Sequence, residues 1–304
     1  MTRRLAVSLL FAATLIAGCT LDTTLARAPA DAGGDTQLDA LDARGDGAGD
    51  GAADGAGFAC PASRLGAGPM VDLGGFCVDL AEVTKARYAA WLASTPSTSG
   101  QLPQCGWNLE YAPAIDASVG CTADANDATK YPELPVVCVD WCDAFAYCAA
   151  VGKHLCGQIG GGSDGFPASA DDVLADPVKS EWFAACTGVD RTSYPYGDTY
   201  DGALCNGKDY GLPTPMPIAV GTATRCHGRG GTLTGGVFDL SGNVAEWTNS
   251  CQAYVPGGVG DLNSCVARGG WFGTGNVADF ACSNVRLTQP RSRKDNHIGF
   301  RCCG

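Results

Sequence analysis

The chain has 304 residues, 45% of them apolar, enough for one large domain or two small ones around a real core. Glycine is abundant at 43 residues and charged residues are scarce at 17%, which favours a loop-rich fold over a helical bundle. Net charge is −12 with no basic patch, so no nucleic acid partner is expected, because phosphate binding needs clustered Lys and Arg.

The N-terminus reads as an export signal. Arg3 and Arg4 form a short basic region, and residues 5–16 an apolar one too short to span a bilayer comfortably. Leu15-Ile-Ala-Gly-Cys19 resembles a bacterial lipobox, in which residues 1–18 are removed and Cys19 becomes the lipidated first residue. An ordinary cleaved signal peptide ending in Cys is the alternative. Thr20, not Asp, follows Cys19, and by similarity to enterobacterial sorting this points to the outer membrane. The expectation is a lipid-anchored cell-envelope protein that meets the membrane through its anchor.

Of the seventeen cysteines, sixteen remain after Cys19. An even number in an exported chain implies a disulfide framework, with connectivity left open. Metal-thiolate sites are the competing idea. No clean C-x-x-C pair occurs and only three His are present, so zinc is disfavoured.

Residues 19–57 read as a disordered acidic linker of Ala, Gly and Asp. Asp31, Asp35, Asp39, Asp42, Asp46, Asp50 and Asp54 recur along it, and no aromatic residue appears before Phe58. Its spacing resembles Asp-rich calcium repeats, but the residues between the Asp positions vary. The folded domain is expected over 58–304. Met70–Val78 reads as a strand. Thr84 caps a helix through about Ala93, with Tyr88, Trp91 and Leu92 on one face. Residues 94–129 are turn-rich and carry Cys105 and Cys121, an irregular stapled excursion. Pro135–Val139 is a short apolar strand. A helix over Cys142–Val151 follows, with Asp140 or Trp141 near its start and Gly152 ending it. Residues 157–179 are rich in Gly, Asp and Ala. Expected core residues are Phe76, Tyr88, Trp91, Val137, Trp141, Tyr147, Trp182, Trp247 and Phe300.

The stretch GGVFDLSGNVAEW, residues 235–247, organises the chain. Asp239 and Glu246 flank Gly242 and Asn243, which suit sharp or left-handed turns. A loop bent this way aims carboxylates and carbonyls inward, as a hard cation such as Ca²⁺ requires. Trp247 anchors the loop to the core. This stretch resembles the G-x-x-D-x-x-G-N-V-x-E-W signature of the formylglycine-generating-enzyme (sulfatase-modifying factor) family, a variant of the C-type-lectin fold. FCVDLAEVTKARYAAWL, LPVVCVDWCDAFAYCAAVGKHL, SYPYGDTYDGALCN, ARGGWF and HIGFRCC resemble further family blocks, in family order, over roughly residues 68–303. The resemblance implies an α+β fold, loop-rich and disulfide-stapled.

It also implies site residues. The family's copper-binding cysteines lie four and nine residues beyond the last Gly of R-G-G, where this chain has Thr274 and Asp279. Neither supplies the soft thiolate that Cu(I) needs, so no copper is expected. Cys282 corresponds to the structural partner of Cys186, and Cys148 to that of Cys302. One calcium site would use the Asp239 side chain, the Gly242 and Val244 carbonyls and the Glu246 carboxylate. A second would use Asn206 and the Gly207 carbonyl, with Asp209 as a further donor. The alternative is that Asp239 and Glu246 only hydrogen-bond loop amides.

Other signals are weak. Residues 161–165 fit G-x-S-x-G without the strand and helix that the motif needs. The glycines at 228–236 make no strand–turn–helix phosphate cradle. His154, His227 and His297 are scattered and read as structural or solvent-facing. The favoured function is a non-catalytic envelope module that binds a protein or glycan. The alternatives are an oxidoreductase of the formylglycine-generating type with other ligands, and a structural envelope protein.

Overall fold

Residues 55–304 form a unit of their own. The computed structural model describes residues 59–304 apart from 63, 65, 167–172, 229–235 and 255–261. The signal segment, Cys19 and the acidic linker lie outside the described residues.

Strand β1 (Met70–Asp72) and strand β2 (Cys77–Asp79) form an antiparallel hairpin with Val71 opposite Val78. The sequence predicts a single strand here. The chain folds back instead because Gly74 and Gly75 adopt φ of +85° and +117°, and the Gly74 amide donates to Asp72 Oδ1 at 2.8 Å. Helix α1 (Lys85–Leu92) starts at Thr84, whose Oγ1 accepts from the Arg87 amide. It buries Tyr88 and Trp91. The predicted strand at Pro135–Val139 is not a regular one. Pro135 makes an isolated bridge to Thr84, after which Val136 donates to Val83 and Cys138, at φ +62°, to Asp295. The segment changes partners every two residues, so no ladder forms.

Helix α2 (Trp141–Ala150) is capped by Asp140 through a reciprocal box with Asp143. Both carboxyls are buried beneath Lys294, whose Nζ lies 2.8 Å from Asp143 and 3.4 Å from Asp140. Burial, and then the Asp143 charge, push the Asp140 carboxyl up to about 7. Strand β3 (His154–Leu155) leads to helix α3 (Glu181–Thr187), capped by Ser180. The insertion between them docks on the core: Asp164 accepts from Ser180 Oγ at 2.8 Å, and its amide donates to Asn249.

Strands β4 (Ala245–Cys251), β5 (Ser264–Arg268), β6 (Thr288–Pro290), β7 (Ile298–Phe300) and β8 (Cys302–Cys303) complete two sheets, ordered β1-β2-β8-β3 and β6-β5-β4-β7. All their pairings are antiparallel except β4 with β7, where Glu246 sits beside Gly299. The chain passes from one sheet to the other at Arg301. Tyr88, Tyr147 and Phe300 pack ring to ring, with centroids 5.4–6.2 Å apart, and Trp91 meets Tyr147 edge-on at 5.5 Å. Each such contact contributes about 1 kcal/mol beyond burial. The nine core residues named from sequence are all buried.

The sixteen described cysteines form eight disulfides: Cys60–Cys77, Cys105–Cys142, Cys121–Cys138, Cys148–Cys302, Cys156–Cys303, Cys186–Cys282, Cys205–Cys226 and Cys251–Cys265. Two of them are nearly redundant, because Cys148–Cys302 and Cys156–Cys303 span separations of 154 and 147. Removing either leaves the long loop closed by the other. The first removal should cost roughly 2.5 kcal/mol and the second a further 4–5 or so, since closure entropy grows with loop length. Urea unfolding of C148A/C302A, C156A/C303A and the fourfold variant checks this.

A pH dependence also follows. The folded Asp140 value lies above the unfolded 3.8, so its stabilisation is complete below about pH 4 and is lost as pH rises through about 7. Asp140→Asn keeps the cap and should flatten the fall in denaturation midpoint between pH 4 and 7.

Candidate functional site

The stretch 235–247 enters β4 through three left-handed positions: Asp239 (φ +60°), Gly242 (φ +81°) and Asn243 (φ +58°). Gly242 is required there, because a Cβ would sit 2.5 Å from the Asn206 carbonyl. The Asn243 amide donates to that same carbonyl at 2.8 Å, and the Gly242 amide to Gly269 at 2.7 Å. The turn therefore fixes where the Asp239 and Glu246 carboxylates end.

Glu246 accepts three side-chain hydrogen bonds. Arg301 grips it with two hydrogen bonds, Nε to Oε2 at 2.7 Å and Nη2 to Oε1 at 2.6 Å, and the Trp182 indole donates to Oε2 at 2.8 Å. Arg301 also donates to the carbonyls of Asp79 and Phe238, at 3.1 and 2.8 Å. Both partners are buried. The resemblance casts Glu246 as a cation ligand; its two oxygens accept from a guanidinium and an indole.

Asp239 behaves differently. Its Oδ2 accepts from the Gly221 amide at 2.6 Å, while its buried Oδ1 has no donor. Beside it lies Glu82, fully buried. Glu82 Oε1 accepts from Asn243 Nδ2 at 3.0 Å, and Oε2 has no donor. Burial pushes Asp239 up to about 6, and burial reinforced by the Asp239 charge pushes Glu82 well above the carboxylate range.

Asn206 abuts the same seam. Its Nδ2 donates to the Met216 carbonyl at 3.0 Å and to Asn243 Oδ1 at 3.1 Å, and its Oδ1 is buried without a partner. Gly207 lies under the Phe280 ring, and its carbonyl accepts from the Tyr210 amide. Asp209 is exposed and accepts from the Tyr200 hydroxyl at 3.2 Å. Asn206, of the second expected calcium set (Asn206, Gly207, with Asp209), thus meets the turn that carries the first (Asp239, Gly242, Val244 and Glu246) through its carbonyl and its side chain, both on Asn243. Unpartnered oxygens of Asp239, Glu82 and Asn206 are hard donors of the kind Ca²⁺ takes, so the donor chemistry fits a hard cation.

Glu82 and Arg301 are the members of this seam that the sequence pattern assigned no role, and Trp182 read only as core. The signal was present: Glu82 is a charge inside the apolar run FCVDLAEV, and Arg301 one inside HIGFRCC.

The copper positions carry no thiol. Thr274 is buried and its Oγ1 accepts from the Trp271 amide at 3.0 Å. Asp279 Oδ1 accepts from Asn276 and Asn284, each at 3.2 Å. Cys282 is bonded to Cys186. Among the described residues, three donor groups of His, Cys or carboxylate type come together only at Cys156, Glu181 and Cys303, and those two sulfurs are bonded to each other. The histidines have partners: His154 meets Glu181 at 2.8 Å, His227 Nδ1 meets the Gly228 carbonyl at 3.1 Å, and His297 meets Asp295 at 2.6 Å. Ser163 lies in a loop with no strand before it, as an active G-x-S-x-G turn would need.

A disulfide-braced α+β frame, with a sealed ionic seam and every described cysteine in a bridge, defines a lectin-like scaffold without a thiol centre. The chain belongs to the sulfatase-modifying factor enzyme 1-like domain family, whose model matches residues 47–304. The inactive C-alpha-formylglycine-generating enzyme 2 of Mus musculus is 33% identical over 185 residues, covering 56% of this chain and 49% of that protein. Its Bos taurus counterpart is 31% identical and is covered to 50%, so the chain spans about half the length of these curated relatives. The formylglycine-generating enzyme of Thermomonospora curvata is 25% identical over 285 residues, 78% of this chain and 85% of that one. Among solved structures, CarF is similar at a TM-score of 0.45 and 19% identity, covering 75% of this chain and 85% of its own.

Arg301→Met would leave Glu246 buried and unpaired. It should cost roughly 3–5 kcal/mol in urea unfolding, and a loss under about 1 kcal/mol would show that the pair does not hold the seam.

Proposed function

We propose that the domain is a non-catalytic member of this family, carried by a lipid-anchored protein of the cell envelope and outer membrane, where its loops bind a protein or glycan. The observation that carries this reading is the state of the sulfur. Thr274 and Asp279 stand at the copper positions, and every described cysteine is in a disulfide. The names of two relatives as inactive enzymes support it. So does the surface. Leu109, Ile115, Val178 and Val189 are exposed on loops held by a rigid frame. Val178 and Val189 flank a groove of about 640 Å³ that Leu73, Phe76 and Ile159 also line, with Arg191 at hand.

The test is Cu(I) titration of the purified chain with oxygen uptake on a cysteine-containing peptide. The chain should neither bind Cu(I) tightly nor consume oxygen, and Thr274→Cys/Asp279→Cys should gain Cu(I) affinity. Tight Cu(I) binding with oxygen uptake by the natural chain would make it an oxidoreductase. Pull-down from surface extracts separates a specific partner from a purely structural envelope role.

A further inference from the structure

Strand β1 is the last in its sheet, and its outer edge is unpaired among the described residues. Residues opposite each other in an antiparallel pair alternate between bonded and non-bonded. Leu73 with Phe76 and Pro69 with Leu80 are bonded pairs. By alternation Asp72 with Cys77 and Met70 with Asp79 are non-bonded ones. On β2 the backbone groups of these residues turn away from β1: Cys77 exchanges two hydrogen bonds with Gly304, and the Asp79 carbonyl accepts from Arg301. On β1 the amides and carbonyls of Met70 and Asp72 therefore face outward, a template for a further strand. The edge runs into the groove beside it. Asp72 and Leu73 end β1 and line that groove, with Phe76, Ile159, Val178 and Val189. Val178 and Val189 are 66% and 76% exposed. Arg191 stands at the same groove, and its guanidinium makes no hydrogen bond or ion pair among the described residues. The nearby Asp176 is taken by the Val178 amide and Lys179, and Asp72 Oδ1 by the Gly74 amide. Neither Thr274 nor Asp279 lines this groove.

We propose that the β1 edge and this groove together take an extended segment of a partner protein. Its backbone pairs with Met70 and Asp72, its alternate aliphatic side chains enter the groove, and an acidic side chain meets Arg191. The unpaired backbone selects a strand, because main-chain hydrogen bonds are what an open sheet edge offers. Val71 and Leu73 pack toward the cluster that holds Phe76 and Trp182, so every second side chain of an added strand lies on that apolar face. The unmatched guanidinium selects a carboxylate. The proposal rests on the binding role given above and narrows it to one site and one class of ligand.

The probe is a fluorescent peptide of alternating Val and Thr ending in Glu, titrated with the full chain and followed by anisotropy. It should bind. N-methylation of either the Val or the Thr positions, whichever set pairs with β1, should weaken it at least tenfold, and methylation of the other set should leave it nearly intact. Met70→Pro removes one outward amide and spares the bonded pairs. Arg191→Glu reverses the charge of an exposed side chain. Each should weaken binding at least tenfold, and the Arg191→Glu loss should be recovered by a peptide ending in Lys. If Met70→Pro does not fold, Arg191→Glu and the methylated peptides carry the test. No binding by the natural chain, or binding that ignores the variants and the methylation pattern, overturns the proposal. So does a dimer in analytical ultracentrifugation that Arg191→Glu or Met70→Pro dissolves, since the edge then belongs to a second copy. A surface partner captured equally by the natural and Arg191→Glu chains keeps the binding role and overturns this site.

Discussion

The Glu246–Arg301 pair is the constraint on which the architecture turns. Glu246 sits within β4, between β5 and β7, and Arg301 sits where the chain leaves β7 for β8. The ion pair therefore links the centre of one sheet to the joint between both. Its geometry is bidentate, and Trp182 brings α3 into the same contact. A buried ion pair adds little net stability over a well-packed apolar substitute, but breaking half of it is costly. Its value here is registry: it specifies which strand lies beside which, and where α3 docks.

Around that centre the fold relies on covalent closure more than on regular structure. The helices span 7 to 10 residues, and several strands only two or three. Such elements leave much of the backbone in loops, and the bridges restrict what those loops can do when unfolded. Cys148–Cys302 and Cys156–Cys303 fix α2 and β3 to β8 from two sides, while Cys186–Cys282 fixes α3 to the segment after β5.

What the sequence disclosed follows from the range of each signal. Thr84 and Asp140 were legible at helix starts because capping is decided within three residues. The buried aromatics were legible because size and apolarity predict burial almost without context. The Gly74-Gly75 turn lies inside an apolar run whose composition predicts one strand, although paired glycines are themselves a turn signal. Pro135–Val139 looked like a strand because its composition is β-prone, but strand character depends on a partner that composition does not report. The site divides in the same way. Asp239 and Glu246 stood out by spacing within one loop. Glu82 joins them from residues far away in sequence, and Glu246 meets Arg301 from 55 residues away, which no local pattern encodes.

The position of Arg301 at the joint has a consequence for recognition. A residue whose neighbours belong to different sheets cannot yield to a hinge between them without tearing its own ion pair. The loops above are thus presented by a frame with little freedom to adapt. On the binding role proposed above, a partner would meet a surface already in its final shape, association would lose little to ordering, and discrimination among partners would rest on fit rather than on accommodation.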